Sequence, residues 1–468
     1  MTIVRTTEEQ RFDARVPLAI IGAGACGLSA ALAARDAGAE VLILERDASP
    51  SGSTSLSSGL IPAAPTRFQR QQGVEDSAAA FAADIQAKAR GQADPELVRL
   101  AAEASAPTLE WLADDHGLEF QLLTGFKYPG HSVLRMHATP QRTGADLEAR
   151  LLAAARAAGA ELATEARVSR LFALADGRIT GLTVARPDGS EEQLGCDALV
   201  LACNGFGGNP ELRARYIPQM TEAQYFGHTG NDGDALLWGQ ALGAAARDLG
   251  GYQGHGSVAT PHGVLITWSL MMEGGIQVNA EGRRFSNEHQ GYSEQALEVL
   301  SQPGGFAWNV FDRRLLALGR EFDDFRDAEA AGAIREAPDP TALAAVTGLE
   351  AEALSATLKA VRRCQQGLET DSFGRDFTTK PPLAPPYYAV KVTGALFHTQ
   401  GGLRVDARAQ VQRDGGGSLP NLFAGGGAAC GVSGPADWGY LSGNGLLTAL
   451  TLGRIAGKSA AEMVKGYG

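Results

Sequence analysis

The stretch from residue 17 to residue 45 constrains this chain more than any other. It reads Pro-Leu-Ala-Ile-Ile, then Gly22-Ala-Gly-Ala-Cys-Gly27, then an Ala/Leu-rich run, then Val41-Leu-Ile-Leu-Glu45. Residues 18–21 have the pattern of a short buried strand, 28–37 of a helix, and 40–44 of a second apolar strand closed by an acid. The glycines stand in G-x-G-x-x-G spacing. Gly22 permits the tight turn, Gly24 lets a pyrophosphate approach the backbone, and Gly27 lets helix and strand pack closely. The start of the helix offers unpaired N–H groups and positive dipole to phosphates. Glu45 can accept from an adenosine ribose hydroxyl. Three glycines alone also occur in tight turns of other α/β proteins; strand, glycines, helix, strand and acid in this order point to a dinucleotide site.

The chain has 468 residues, enough for two large domains or for one domain with a substantial insertion. A net charge of −12 gives no support to nucleic-acid or anionic-membrane binding. The five cysteines, at 26, 196, 203, 364 and 430, form no C-x-x-C pair, so neither a disulfide framework nor a metal or iron–sulfur site is expected. The first ten residues lack an apolar signal core, and no apolar run approaches a membrane span. A reduced, cytoplasmic enzyme is the expectation.

Residues 46–61 are rich in Ser and Gly but end in Gly-Leu-Ile, which suits a backbone wrapped closely around a ligand. Residues 75–117 read as helices, and 143–158 as another closed by Gly159. Residues 160–201 alternate short strands with turns at Asp176-Gly177 and Pro187-Asp-Gly189, a small β-meander. Asp197-Ala-Leu-Val-Leu is an apolar strand running into the glycine loop after Ala202, where the parallel sheet resumes, and the run from His228 opens a further helix. From about residue 251 glycine and aromatic residues increase. Helices follow at 293–301, 312–319 and 341–366, then a Pro-rich, irregular stretch at 371–394. We read 251–394 as an inserted domain between first (1–250) and second (395–468) parts of one domain. In the last part, 394–406 is a glycine turn leading to a strand, 421–431 a strand running into glycines, and 442–457 a glycine-started helix. Such a helix start suits a flavin C2 carbonyl, which gains negative charge on reduction; a core helix with a flexible start is the alternative.

Together these motifs resemble the fumarate reductase/succinate dehydrogenase flavoprotein superfamily, which also holds urocanate reductases and 3-ketosteroid dehydrogenases. The resemblance covers nearly the whole chain. It rests on Gly22–Gly27 with Glu45, on Gly52-Ser-Thr-Ser-Leu-Ser-Ser-Gly59 and on Ala202-Cys-Asn-Gly-Phe-Gly-Gly-Asn209. It continues through Gly230-Asn-Asp-Gly233, Gly282-Arg-Arg-Phe-Ser-Asn-Glu288, His398-Thr-Gln-Gly-Gly402 and Asn421-Leu-Phe-Ala-Gly425. The resemblance implies an α/β fold: a Rossmann-like FAD-binding domain with parallel sheet and β-meander, interrupted by an α+β capping domain that closes over the flavin. It implies FAD, and contacts to it from Gly22, Ala23, Gly24, Cys26, Gly27, Glu45 and Arg46. Further contacts are implied from Gly52, Ser53, Thr54, Ser57, Ser58, Gly59, Val168, Ala202, Asn204, Gly205, Asp232, Gly426, Gly443, Asn444, Leu446 and Leu447. Members with covalent FAD keep a histidine after the acidic strand; residues 46–61 contain none, which implies non-covalent FAD. Where many members have Ala-Gly-Glu after the C-terminal strand, this chain has Gly425-Gly-Gly427, so a Glu contact to the cofactor is lost.

Two positions decide the implied chemistry. Dicarboxylate reductases of the family keep a proton-donating arginine four positions after the Asn-Glu of the capping motif, and a second arginine before Leu-Gly-Gly-Asn near the C-terminus. This chain has Tyr292 and Tyr440 there. In the ketosteroid dehydrogenases a tyrosine at the first place takes an α-proton, and one at the second donates to the ketone oxygen. Tyr440-Leu-Ser442 is similar to the branch acting on the 4,5 bond. Hydride can leave a β-carbon only if the α-proton leaves and the carbonyl oxygen takes up charge. His289 or His398 is a candidate to lower the Tyr292 pKa; His398 alternatively touches substrate, as its counterpart does in dicarboxylate reductases. Tyr128 is a candidate pocket residue, while His131, His137, His228, His255 and His262 have no assigned role. The leading expectation is oxidation or reduction of the bond α,β to a ketone, with an electron acceptor the sequence does not identify. The alternatives are a carboxylate enoate reductase using Arg283, Arg284 or Arg375, and a flavoprotein subunit that passes electrons to a partner.

Overall fold

A computed structural model describes residues 2–7 and 10–466. The chain divides into two compact units: Met1–Pro218 with Gly227–Tyr252 and His398–Gly468, and Gln219–Phe226 with Gln253–Phe397.

The larger unit is built on a nine-stranded sheet. Ala14–Ile21 lies between Val41–Leu44 and Glu191–Leu201, parallel to both. Glu191–Leu201 serves two arrangements. Its first half pairs antiparallel with Ile179–Ala185, itself antiparallel to Arg167–Ala173, which makes the meander. Its last three residues pair parallel with Leu422, Phe423 and Ala424. The long apolar stretch Ala198–Leu201 allows this, being fully buried. The helix Ala25–Asp36 follows the first glycines, and a 22-residue helix, Asn444–Lys465, packs along it. Small residues allow that approach: a Cβ at Gly453 would meet the Cys26 carbonyl and one at Gly457 the Ala30 carbonyl. The core between sheet and helices holds Leu18, Ile20, Leu28, Leu32, Leu147, Leu151 and Leu450. Burying a Leu or Ile contributes about 1.5–3 kcal/mol each.

The smaller unit is organised on a seven-stranded sheet in which Tyr387–Thr399 runs between Tyr252–Ala259 and Phe306–Asp312. This corrects the expectation that 371–394 is irregular. The proline-rich run ends at Pro386, and Tyr387-Tyr-Ala-Val-Lys-Val-Thr is rich in the aromatic and β-branched residues that favour strands. The strand continues straight through Gly394, where a glycine turn was expected. Likewise the helix expected over 341–366 is two, Pro340–Thr347 and Ala351–Gln365. Gly348 caps the first in the left-handed region at φ +76°. Among the described residues no helix is long and apolar enough to cross a membrane, and no cluster of His, Cys, Asp or Glu is suited to a metal ion.

Candidate functional site

The glycine turn is formed as its chemistry requires. Gly22 has φ +105°, and a Cβ there would lie 2.5 Å from the Ala202 carbonyl oxygen. A Cβ at Gly27 would overlap the Gly22 carbonyl. Gly24 differs: it is the N-cap of the Ala25–Asp36 helix in extended conformation (φ −79°), without side-chain cap. The nearest atom to a Cβ there is the Thr54 hydroxyl, at 3.2 Å. Thr54 Oγ1 accepts from the Ala25 N–H at 2.9 Å, tying the 52–59 segment to the helix start.

Glu45 closes the second strand. Its Oε2 accepts from the Ala23 N–H at 2.9 Å and its Oε1 from the Asp47 N–H at 3.1 Å. Carboxylate oxygens accept more than one bond each, so a hydroxyl donor can still be received. Ser53 Oγ accepts from Asn204 Nδ2 at 2.7 Å and from Asn231 Nδ2 at 3.2 Å, joining the 52–59 segment to the loops after Leu201 and His228. Arg46 pairs with Asp232 at 3.2 Å, and Gly205 backs onto the Thr399 side chain. Ser57 Oγ donates to the Thr54 carbonyl and accepts from the Gly59 N–H. Gly52 accepts through its carbonyl from Leu56, whereas Ser58 is exposed. Cys26 is buried against Gly425 and Gly426, and burial pushes its thiol up to about 12, so it is inert. Val168 and Leu447 are buried; Leu446 packs on the main core.

The second helix start is arranged similarly. Gly443, at φ +86°, is the N-cap of Asn444–Lys465 and supplies no side-chain cap. Asn444 is fully buried; its Nδ2 donates to Ser433 Oγ at 3.0 Å and its Oδ1 has no protein partner. Two helix starts whose N-cap glycines carry no capping side chain, with an orphaned buried amide oxygen, fit a ligand carrying phosphates at one end and a polar ring at the other.

Tyr440 lies just before that helix, 6% exposed. Burial pushes its phenol up to about 12, partly offset by the backbone N–H groups of Gly445 and Gly443, so at neutral pH it carries its proton. The His398 ring packs edge-on to it at 5.5 Å. Gln400 Nε2 donates to His398 Nδ1 at 2.9 Å, and Gln400 Oε1 accepts from Ser433 Oγ at 2.7 Å. His398 Nδ1 is therefore the acceptor nitrogen and Nε2 carries the proton. Burial lowers the imidazole to about 4 and keeps it neutral. The Ser442 carbonyl accepts from His131 Nε2 at 3.0 Å.

In the smaller unit Tyr292 is 9% exposed. The imidazole stacked on it is His255, at 4.9 Å and 20°, with Trp268 at its edge. Burial lowers His255 to about 3, so it too is neutral. His289 instead meets the Met271 carbonyl at 3.2 Å through Nε2. Nothing in the sequence around His255 separates it from other histidines; its stack on Tyr292 is visible only in the fold.

Arg284 and Arg375 are occupied. Arg284 reaches Glu288 at 2.7 Å and also pairs with Asp371; Arg375 reaches Glu288 at 3.0 Å and the Gly275 and Met271 carbonyls. Arg283 is exposed. The two guanidinium groups hold the Glu288 carboxyl at about 2 despite full burial. A depressed carboxyl contributes stability above its unfolded pKa of about 4.3, lost as pH falls toward 2. Glu288→Gln should destabilise the smaller unit by roughly 3–5 kcal/mol, since it strands buried charge. Thermal melts at pH 7 check this, and the gap to wild type should narrow between pH 4.3 and 2.

Known proteins resemble this chain over most of its length. Residues 18–446 match the family model described as FAD binding domain. A probable fumarate reductase of Shewanella frigidimarina is 30% identical over 445 residues, 95% of this chain and 74% of the relative. A 4-oxocyclohexanecarboxylate 2-dehydrogenase of Sinomonas cyclohexanicum is 27% identical over 542 aligned positions, 96% of this chain and 93% of the relative. The solved 3-ketosteroid-Δ4-(5α)-dehydrogenase of Rhodococcus jostii RHA1 shares the fold, with TM-score 0.77 and 24% identity over 98% of this chain and 100% of that one. The chain belongs to the FAD binding domain family of flavoprotein oxidoreductases.

Proposed function

We propose that this FAD-dependent oxidoreductase acts on the CH–CH bond next to the carbonyl of a cyclic ketone, a 3-ketosteroid or a smaller ring. The observation that carries the reading is Tyr440: a buried phenol that keeps its proton, beside neutral His398, where carboxylate reductases resembling this chain have an arginine. A ketone oxygen asks for a neutral donor, while a carboxylate asks for charge. Tyr440 donates to the carbonyl oxygen. Tyr292 takes the α-proton. Bound FAD, held without a covalent bond, supplies the acceptor for the β-hydride. Removal of H⁺ from the α-carbon and H⁻ from the β-carbon leaves a C=C bond. The base form is the Tyr292 phenolate, which becomes the phenol on taking the α-proton; holding an unaided phenolate at pH 7 costs roughly 4 kcal/mol.

The Sinomonas relative's name supports the ring-ketone reading. The Shewanella relative's name favours a second one, reduction of an enoate such as fumarate. Against that, Arg284 and Arg375 are engaged with Glu288 and Asp371. Steady-state assays with an artificial electron acceptor should give turnover with cyclohexanone-type or steroid ketones and none with succinate. Turnover of succinate alone would replace the first reading by the second.

A further inference from the structure

We infer that His131 and Arg135 form a positioning pair that fixes the Tyr440 phenol by holding the turn on which it stands; this rests on the reading of Tyr440 as donor to the ketone. Arg135 is 1% exposed and bound at every face. Its Nε and one terminal nitrogen donate to both oxygens of Asp76 at 2.7 and 2.9 Å, and the other terminal nitrogen donates to Asp84 at 2.6 Å. That last nitrogen also donates to His131 Nδ1 at 3.1 Å.

A guanidinium can only donate, so His131 Nδ1 must be the acceptor and Nε2 must carry the proton. The Nε2–H donates to the Ser442 carbonyl at 3.0 Å, two residues beyond Tyr440. A second contact clamps the same turn: Gly130 lies so close to Leu441 that a Cβ there would be 2.6 Å from Leu441 Cδ1. Two aspartates thus orient an arginine, the arginine selects one histidine tautomer, and the histidine holds the carbonyl of the Tyr440–Gly443 turn. A buried chain fixed at each joint allows little drift at its end.

A double-mutant cycle on the FAD-loaded protein tests this, with anaerobic flavin reduction by a cyclohexanone-type ketone measured per bound FAD. His131→Ala should slow reduction roughly 10- to 100-fold, the size of loss that a small misplacement causes. His131→Gln should recover most of the rate, because its amide can accept from Arg135 and donate to Ser442. In the Tyr440→Phe background, His131→Ala should cost about twofold or less further, within the margin on such cycles. A purely structural role would lower the yield of loaded protein and leave these ratios unchanged. A slow Tyr440→Phe whose loss multiplies fully with that of His131→Ala overturns the inference alone, as does a wild-type rate in His131→Ala. A wild-type rate in Tyr440→Phe overturns the assignment of Tyr440, and the inference with it.

Discussion

Tyr292→Phe should bind ketone nearly as tightly as the wild type yet reduce its flavin about 100- to 10,000-fold more slowly, the usual loss on removing a general base. The variant keeps the ring, so the stack on His255 and the edge contact with Trp268 survive. Folding should therefore be little affected, and the loss should fall on the chemical step. Stopped-flow absorbance of the flavin separates the two: ketone dependence reports binding, and the limiting rate reports proton removal. A near wild-type limiting rate would remove Tyr292 from the mechanism and turn attention to the arginines of the smaller unit.

The three motif glycines should respond differently to the same change. Gly24→Val should give folded protein that purifies colourless. Its backbone, at φ −79°, accepts a β-branched residue, and the nearest protein atom to the new Cβ is a hydroxyl at 3.2 Å. What the side chain blocks is the approach of the pyrophosphate to the helix start. Gly22→Val and Gly27→Val should fail earlier, as insoluble or unfolded chains, because the new atoms meet backbone carbonyls of Ala202 and Gly22. Circular dichroism and the ratio of flavin to protein absorbance distinguish the outcomes. Yellow, fully loaded Gly24→Val would contradict this role of the glycine turn. In the wild type, acid precipitation should leave flavin in the supernatant.

The parts of this fold that were legible in the sequence are those where one local pattern has one use. The first strand, glycine turn and helix could be read because spacing, apolar run and acid all point the same way. The helix over 144–157 was legible from its Ala/Leu pattern and closing Gly159. The smaller unit was harder. Tyr387–Thr399 is hidden behind prolines and interrupted by Gly394, and a strand whose side chains are buried on both faces carries no alternation to find. Partners across the sequence were not legible either. His131 and Ser442 are 311 positions apart, and only folding joins them. Arg284 and Arg375 look like free cations in sequence; Glu288 and Asp371 occupy them.

The most direct test of ketone chemistry is anaerobic mixing of the oxidised, FAD-loaded protein with saturated cyclic ketones and, separately, with succinate. The flavin band should bleach with at least one cyclohexanone-type or steroid ketone, with the corresponding enone as product, and succinate should leave it unchanged. Bleaching by succinate with no response to any ketone would contradict ketone chemistry.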